Sequence, residues 1–248
     1  MNIKRNTWRV GLQLFVCLFL LSCMQLPSEQ LPTVQVEPMP KKSLEIRYVS
    51  LGDSYTKGEG TTPDYSWPVV LTTHLQKEGI NITLVANPAQ SGWTTQEVIE
   101  IELLAFEAAK PNFATLMIGA NDFVQRMPPQ TFRSRIGTIM DDMLKVLPSR
   151  DALIVITLPD FSLTPTGKAY EGNVDLQAGI EEFNDIIIEE AEKRDIALVD
   201  LFESSKAVEE HPELISEDGL HPSALGYARW EQEIYPVAKA QIAKLQQG

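Results

Sequence analysis

The sequence predicts an α/β domain in which a five-stranded parallel sheet is covered by helices on both faces, a three-layer α/β/α sandwich. Three observations lead there. From residue 44 onward, short runs rich in β-branched residues recur; they are apolar at consecutive positions; and longer stretches with helical periodicity separate them. Strands buried on both faces belong to parallel sheets with a helical layer on each side. With 248 residues, 44% of them apolar, the chain suits one large domain with a sizeable core.

The first strand is expected over 46–51 (Ile46-Arg47-Tyr48-Val49-Ser50-Leu51). The others fall near 82–86, 113–118, 152–157 and 196–199, and no internal repeat accompanies them. Between the second and third, Thr94 and Glu97 form a capping-box pattern. Val98, Ile101, Leu104, Ala105 and Ala108 then recur at helical spacing until Pro111, a stripe expected to face the core. A helix over about 175–194 aligns Leu176, Ile180, Phe183, Ile187 and Ala191 on one face. A last helix begins after Pro222 and buries Tyr227, Trp230 and Ile234, with Pro236 expected to break or kink it.

The N-terminus differs in kind. Lys4, Arg5 and Arg9 precede an uncharged apolar stretch, Val10 to Leu21, which is too short to span a bilayer and has the form of a signal-peptide core. It ends in Leu20-Leu21-Ser22-Cys23, which resembles the lipobox of bacterial lipoproteins and implies a signal peptide over 1–22 and a lipidated Cys23. Residues 24–43 carry Pro27, Pro32, Pro38 and Pro40, so 23–43 is read as an extended tether and 44–248 as the folded domain. Cys17 and Cys23 are the only cysteines, and no disulfide framework is possible with them. Removing the three N-terminal cations from the 21 Lys and Arg leaves 18 against 34 Asp and Glu, a formal charge of −16. That balance disfavours nucleic acid and anionic headgroups. Membrane attachment is expected through acyl chains, which puts the protein in the cell envelope, outside the cytoplasm.

Four segments fall after predicted strands or before the last helix, at the sheet's carboxyl edge, where open α/β sheets bind ligands. They are Gly52-Asp53-Ser54 with Thr56, Gly58 and Gly60; Asn87 to Thr95, containing Ser91-Gly92; Gly119-Ala120-Asn121-Asp122; and Asp218-Gly219-Leu220-His221. A serine hydroxyl needs a base within hydrogen-bond reach, for which His221 is the candidate, with Asp218 three residues earlier placed to hold the ring. Asp53 and Asp122 are read as bracing their own turns. His74, in an amphipathic helix, and His211, in an acidic loop, are read as surface or packing residues. The histidines lack metal-ligand spacing, so neither metal nor cofactor is expected. Gly58 and Gly60 lack the G-K-[ST] context of a phosphate loop.

In this order and spacing, over residues 46–240, the four segments resemble those of the SGNH/GDSL hydrolase family. The resemblance implies the flavodoxin-like strand order 2-1-3-4-5 and a serine esterase that needs no cofactor. It implies Ser54, Asp218 and His221 as catalytic residues, with an oxyanion hole formed by the N–H groups of Ser54 and Gly92 and the Asn121 side-chain amide. The expected substrate is a small-molecule, lipid or glycan ester and the expected state a monomer. Trp93 and the loop from Leu158 to Tyr170 are candidate contacts for the acyl or leaving group. The alternatives are a non-catalytic glycan- or lipid-binding lipoprotein and an acyltransferase on the same fold.

Overall fold

The computed structural model describes residues 44–170 and 175–247. The expected signal peptide (1–22), Cys23 and the tether (23–43) lie outside the described residues.

Five strands, β1 (Ile46–Gly52), β2 (Ile82–Ala86), β3 (Phe113–Met117), β4 (Leu153–Ile156) and β5 (Ala197–Val199), form one parallel sheet in the order 2-1-3-4-5. β3 and β4 are buried at every position and β1 at all but Arg47, as continuous apolar runs require. The boundaries match the expected ones to within a residue or so. β3 stops at Met117 because Gly119 turns the chain with φ +132°, a conformation that favours glycine.

Five longer helices cover the sheet. α1 (Trp67–Lys77) packs with α5 (Ala224–Gln247) on one face. On the other lie α2, built from Thr95–Glu97, Val98–Glu102 and Leu103–Ala109, then α3 (Pro129–Val146) and α4 (Leu176–Glu192). The Thr94–Glu97 capping box is present. In α4 all five residues of the expected stripe are buried, and in α5 Tyr227, Trp230 and Ile234 are buried. Pro236 does not break α5, which runs on to Gln247. Pro236 and Gln232, whose carbonyl it deprives of a donor, are both exposed, so water satisfies that carbonyl.

One stripe is corrected. Of Val98, Ile101, Leu104, Ala105 and Ala108, only Val98 is buried; Ile101 is 48% and Leu104 67% exposed. Val98–Glu102 is a π-helical turn, which adds a residue to the repeat and rotates the rest of the helix about its axis. The buried line is therefore Val98, Glu102 and Phe106. Phe106→Ala is expected to lower stability by about 3–5 kcal/mol and Leu104→Ser to change it by no more than about 0.5 kcal/mol, both read from urea unfolding. The opposite ranking would restore the regular 3.6-residue phase.

Candidate active site

β1 delivers its carboxyl end to the site through Gly52. A Cβ there would stand 2.3 Å from both the Met117 carbonyl oxygen and Thr56 Oγ1, so only glycine fits between them. Asp53 comes next, as the N-cap of a helical turn, Ser54–Lys57, accepting from Tyr55 N at 3.0 Å. Ser54 thus stands at the N-terminus of that turn. Its N–H is not used by the turn's own hydrogen bonds, which begin at Thr56 N.

His221 arrives from the segment before α5. Its Nε2 lies 2.9 Å from Ser54 Oγ and its Nδ1 2.7 Å from Asp218 Oδ2. Asp218 is an Asx turn as well as a partner: Oδ1 accepts from Leu220 N at 2.8 Å and His221 N at 2.9 Å. Partial burial works against ionisation of Asp218 but is outweighed by these donors and the imidazole, which bring it down to about 2. With the ring's Nδ1 held by a carboxylate, Nε2 is the nitrogen free to accept the Ser54 proton.

Asn121 reaches the same cleft from the helical turn after β3 (Ala120–Val124), as Gly119 takes up the sharp bend. Its Nδ2 donates to the Trp93 carbonyl at 2.9 Å and approaches Asp53 Oδ2 at 3.5 Å. The second contact is too long to bind a hydrogen firmly, so one N–H stays available to a ligand. Gly92, beside Trp93, is exposed at φ +83° with nothing within 4 Å of where a Cβ would stand. Among the described residues its N–H has no acceptor. Ser54, Asn121 and His221 therefore share one cleft of about 410 Å³, open to solvent and walled by Tyr55, Ala120, Val124, Phe161 and Leu220. Of the 158–170 loop, Phe161 lines it; Trp93 is not among its walls and touches the site through its carbonyl, which accepts from Asn121 Nδ2.

The acidic residues around this cleft depart from expectation. Asp53 does cap its own turn, but Asp122 braces a different one: it accepts from Thr95 N at 2.9 Å and from the Thr95 hydroxyl, tying the β3 turn to the start of α2. Both are fully buried. Burial raises Asp53 to about 7 against the Tyr55 N–H, with the charge of Asp122 adding to the rise; burial likewise raises Asp122 in spite of the Thr95 donors. A further tie escapes the sequence altogether. Ser91 Oγ donates to Glu59 Oε2 at 2.5 Å and Tyr227 Oη to the Glu59 carbonyl at 2.8 Å, joining the loops after β1 and β2 to α5. Ser91 lies in the second of the four segments and Tyr227 on the last helix's stripe, but nothing in the sequence shows that Glu59 joins them.

His74 bonds Glu231 at 2.9 Å and stacks on Tyr235, while His211 faces Glu213 in an exposed loop. Among the described residues no group of three or more His, Cys, Asp or Glu is placed to hold a metal, and no helix is long and apolar enough to cross a membrane.

A parallel sheet of this order with a Ser-His-Asp relay at its carboxyl edge defines an ester hydrolase of the GDSL type. The model of the GDSL-like Lipase/Acylhydrolase family matches residues 50–229, and the chain belongs to that family. An arylesterase of Vibrio mimicus is 27% identical over 172 residues, covering 69% of this chain and 78% of its own. The thioesterase 1/protease 1/lysophospholipase L1 of Escherichia coli K12 is 25% identical over 173 residues, 70% and 74% of the two chains. Among solved structures, a Clostridium thermocellum family 3 carbohydrate esterase superposes with a TM-score of 0.65 at 20% identity, over 82% of this chain and all of its own.

Because Asp218 is held below its ordinary value, its stabilising effect is present above about pH 4 and is lost as the pH falls through about 2. The urea midpoints of wild type and Asp218→Ala should therefore differ at pH 5 and converge toward pH 2. A gap that stays constant would remove the ionised Asp218 from the stability of this loop.

Proposed function

We propose that the protein hydrolyses carboxylic esters through an acyl-Ser54 intermediate. The observation that carries this reading is the unbroken chain Asp218 Oδ2 to His221 Nδ1 (2.7 Å) and His221 Nε2 to Ser54 Oγ (2.9 Å). As Ser54 Oγ attacks the ester carbonyl carbon, its proton passes to His221 Nε2, and Asp218 stabilises the imidazolium. The negative charge that forms on the carbonyl oxygen is received by the N–H groups of Ser54 and Gly92 and by Asn121 Nδ2. His221 then protonates the departing alkoxide, water attacks the acyl-Ser54 by the same route, and the free acid leaves.

The cleft walls suit a short apolar acyl group resting against Val124 and Phe161. A longer chain is the second reading, because Val124 also borders a groove of about 950 Å³ lined by Met127, Pro128, Leu176 and Phe183. Labelling with a fluorophosphonate and then assaying esters of increasing acyl length decides between them. A single optimum at two to four carbons supports the first; a rise continuing to eight or more supports the second. Ser54→Ala is expected to abolish labelling and turnover and His221→Ala nearly so. Asn121→Ala, which removes one oxyanion donor, should cost about 10²–10³ in kcat with KM little changed, and Ser54→Ala/His221→Ala should be no worse than Ser54→Ala alone. Full kcat in a folded Asn121→Ala protein would return Asn121 to a turn residue.

The Leu20-Leu21-Ser22-Cys23 sequence supports placing this activity on a lipid anchor at Cys23, outside the cytoplasm. Cys23→Ser should separate from membranes on fractionation; retention after an alkaline wash with the N-terminus uncleaved would make residues 10–21 the anchor instead.

A further inference from the structure

Glu102 lies in the π-helical turn of α2 and is fully buried. Its Oε2 accepts from Gly52 N at 2.9 Å, while Oε1 has no partner among the described residues. The need for that bond comes from the sheet. β2 pairs with β1 only as far as Val49 opposite Ala86, after a register shift at Tyr48/Val49. β1 runs three residues further, paired on its other side with β3 up to Gly52 opposite Met117. The N–H of Gly52 finds its acceptor in a side chain from α2. A regular α-turn at 98–102 would rotate Glu102 away from the buried line, so the π turn and the contact go together.

No cation pairs with Glu102: none of the ion pairs among the described residues includes it. The titratable group that acts on it is Asp53, on the turn after β1, itself coupled to Asp122. A carboxyl in this setting, desolvated and facing another carboxyl, is stable in its protonated form.

We propose that Glu102 is a positioning residue of the active site: as an uncharged carboxylic acid it anchors the Gly52 N–H and so fixes the turn that presents Ser54. This rests on the reading of Ser54 as nucleophile. The geometry has two consequences. Loss of the acceptor leaves a buried N–H unpaired at the residue two before the nucleophile. Ionisation puts a negative charge behind the site where the oxyanion forms, which opposes the same transition state that Ser54 N–H stabilises. Burial, with Asp53 adding to it and Gly52 N–H opposing, raises Glu102 from 4.5 to about 8, so the second effect falls on the alkaline side.

The test measures two things in the wild type, Glu102→Gln and Glu102→Ala between pH 6 and 10: the rate at which Ser54 is labelled by a fluorophosphonate, and the urea midpoint, the latter extended down to pH 4. Wild-type labelling should decline with a midpoint near pH 8. Glu102→Gln, which keeps an acceptor oxygen and cannot ionise, should stay within about threefold at pH 7 and lose the decline. Glu102→Ala should label about 10- to 100-fold more slowly at pH 7 with native circular dichroism, as displacement of the nucleophile predicts. For stability the sign is fixed: the folded protein holds a proton that the unfolded chain releases above about pH 4.5, so this contribution is present below that pH and is lost as the pH rises through about 8. Glu102→Gln should lack that part of the slope. Identical alkaline limbs and identical stability slopes in wild type and Glu102→Gln would overturn the proposal, whether or not Glu102→Ala folds. Failure of wild-type Ser54 to label at any pH would instead strike the esterase reading, and the stability slopes would still decide the state of Glu102.

Discussion

The structure turns on the passage of the chain through Gly52. β1 must end within van der Waals reach of the Met117 carbonyl and of Thr56, and a side chain at that point would overlap both. The tightness has a purpose that the neighbouring residues reveal. Asp53 can cap the next turn, and Ser54 can begin it with a free N–H, only if the direction of β1 changes within one residue. A wider turn would carry the hydroxyl away from His221 and the N–H away from any charge on a bound carbonyl, and displacements of about 1 Å at such centres are costly.

Around this passage the chain buries Asp53, Asp122 and Glu102, and none of the ion pairs among the described residues includes them. Their donors are instead backbone N–H groups and a hydroxyl: Tyr55 for Asp53, Thr95 for Asp122, Gly52 for Glu102. Each acid braces a turn or a strand end, and together they knit the ends of β1 and β3 to the start of α2. Such an arrangement costs stability, because burial raises all three carboxyls.

Much of this was legible in the sequence, and the parts that were not have physical reasons. The strands could be read because a parallel sheet buries both faces, leaving runs such as Leu153 to Ile156 with no polar interruption. α4 could be read because its five apolar positions keep one phase. α2 could not: its apolar residues have an α-helical period, but the π turn shifts the phase, exposing Ile101 and Leu104 and burying Glu102. No residue in Val98–Glu102 announces that turn, and the N–H to which it brings an acceptor, that of Gly52, belongs to a strand 50 residues away. Pro236 misled in the opposite sense, since a proline on the wet face of a helix strands only a carbonyl that water can reach. Of the candidate site, Ser54, Asp218 and His221 could be read from turns and a strand end that frame them, whereas Asn121 was singled out by the resemblance of the four segments to those of the family. Asp122 was assigned to its own turn because a sequence shows neighbours in the chain and not Thr95, 27 residues away.

His221 comes from the far end of the chain, and its attachment explains how a sequence separation of 167 still yields a 2.9 Å contact with Ser54. The segment carrying His221 is pinned by its own backbone, through Ser216 N to the His221 carbonyl at 2.8 Å and Ser223 N to the Leu214 carbonyl at 2.8 Å. It is pinned to the turn that carries Ser54 by aromatic packing, since Tyr55 lies edge-on to the His221 ring at 5.4 Å and against Trp230 of α5 at 5.6 Å. Gly60 closes the other side: a Cβ there would meet His221 Cβ at 2.9 Å and the Pro222 carbonyl at 2.8 Å. The aromatic contacts and the Gly60 approach join the first loop of the domain to its last helix and the segment leading into it. Ser54 and His221 therefore come within reach of each other only when α5 has docked beside α1, and their contact is made by completion of the fold and not by any local segment.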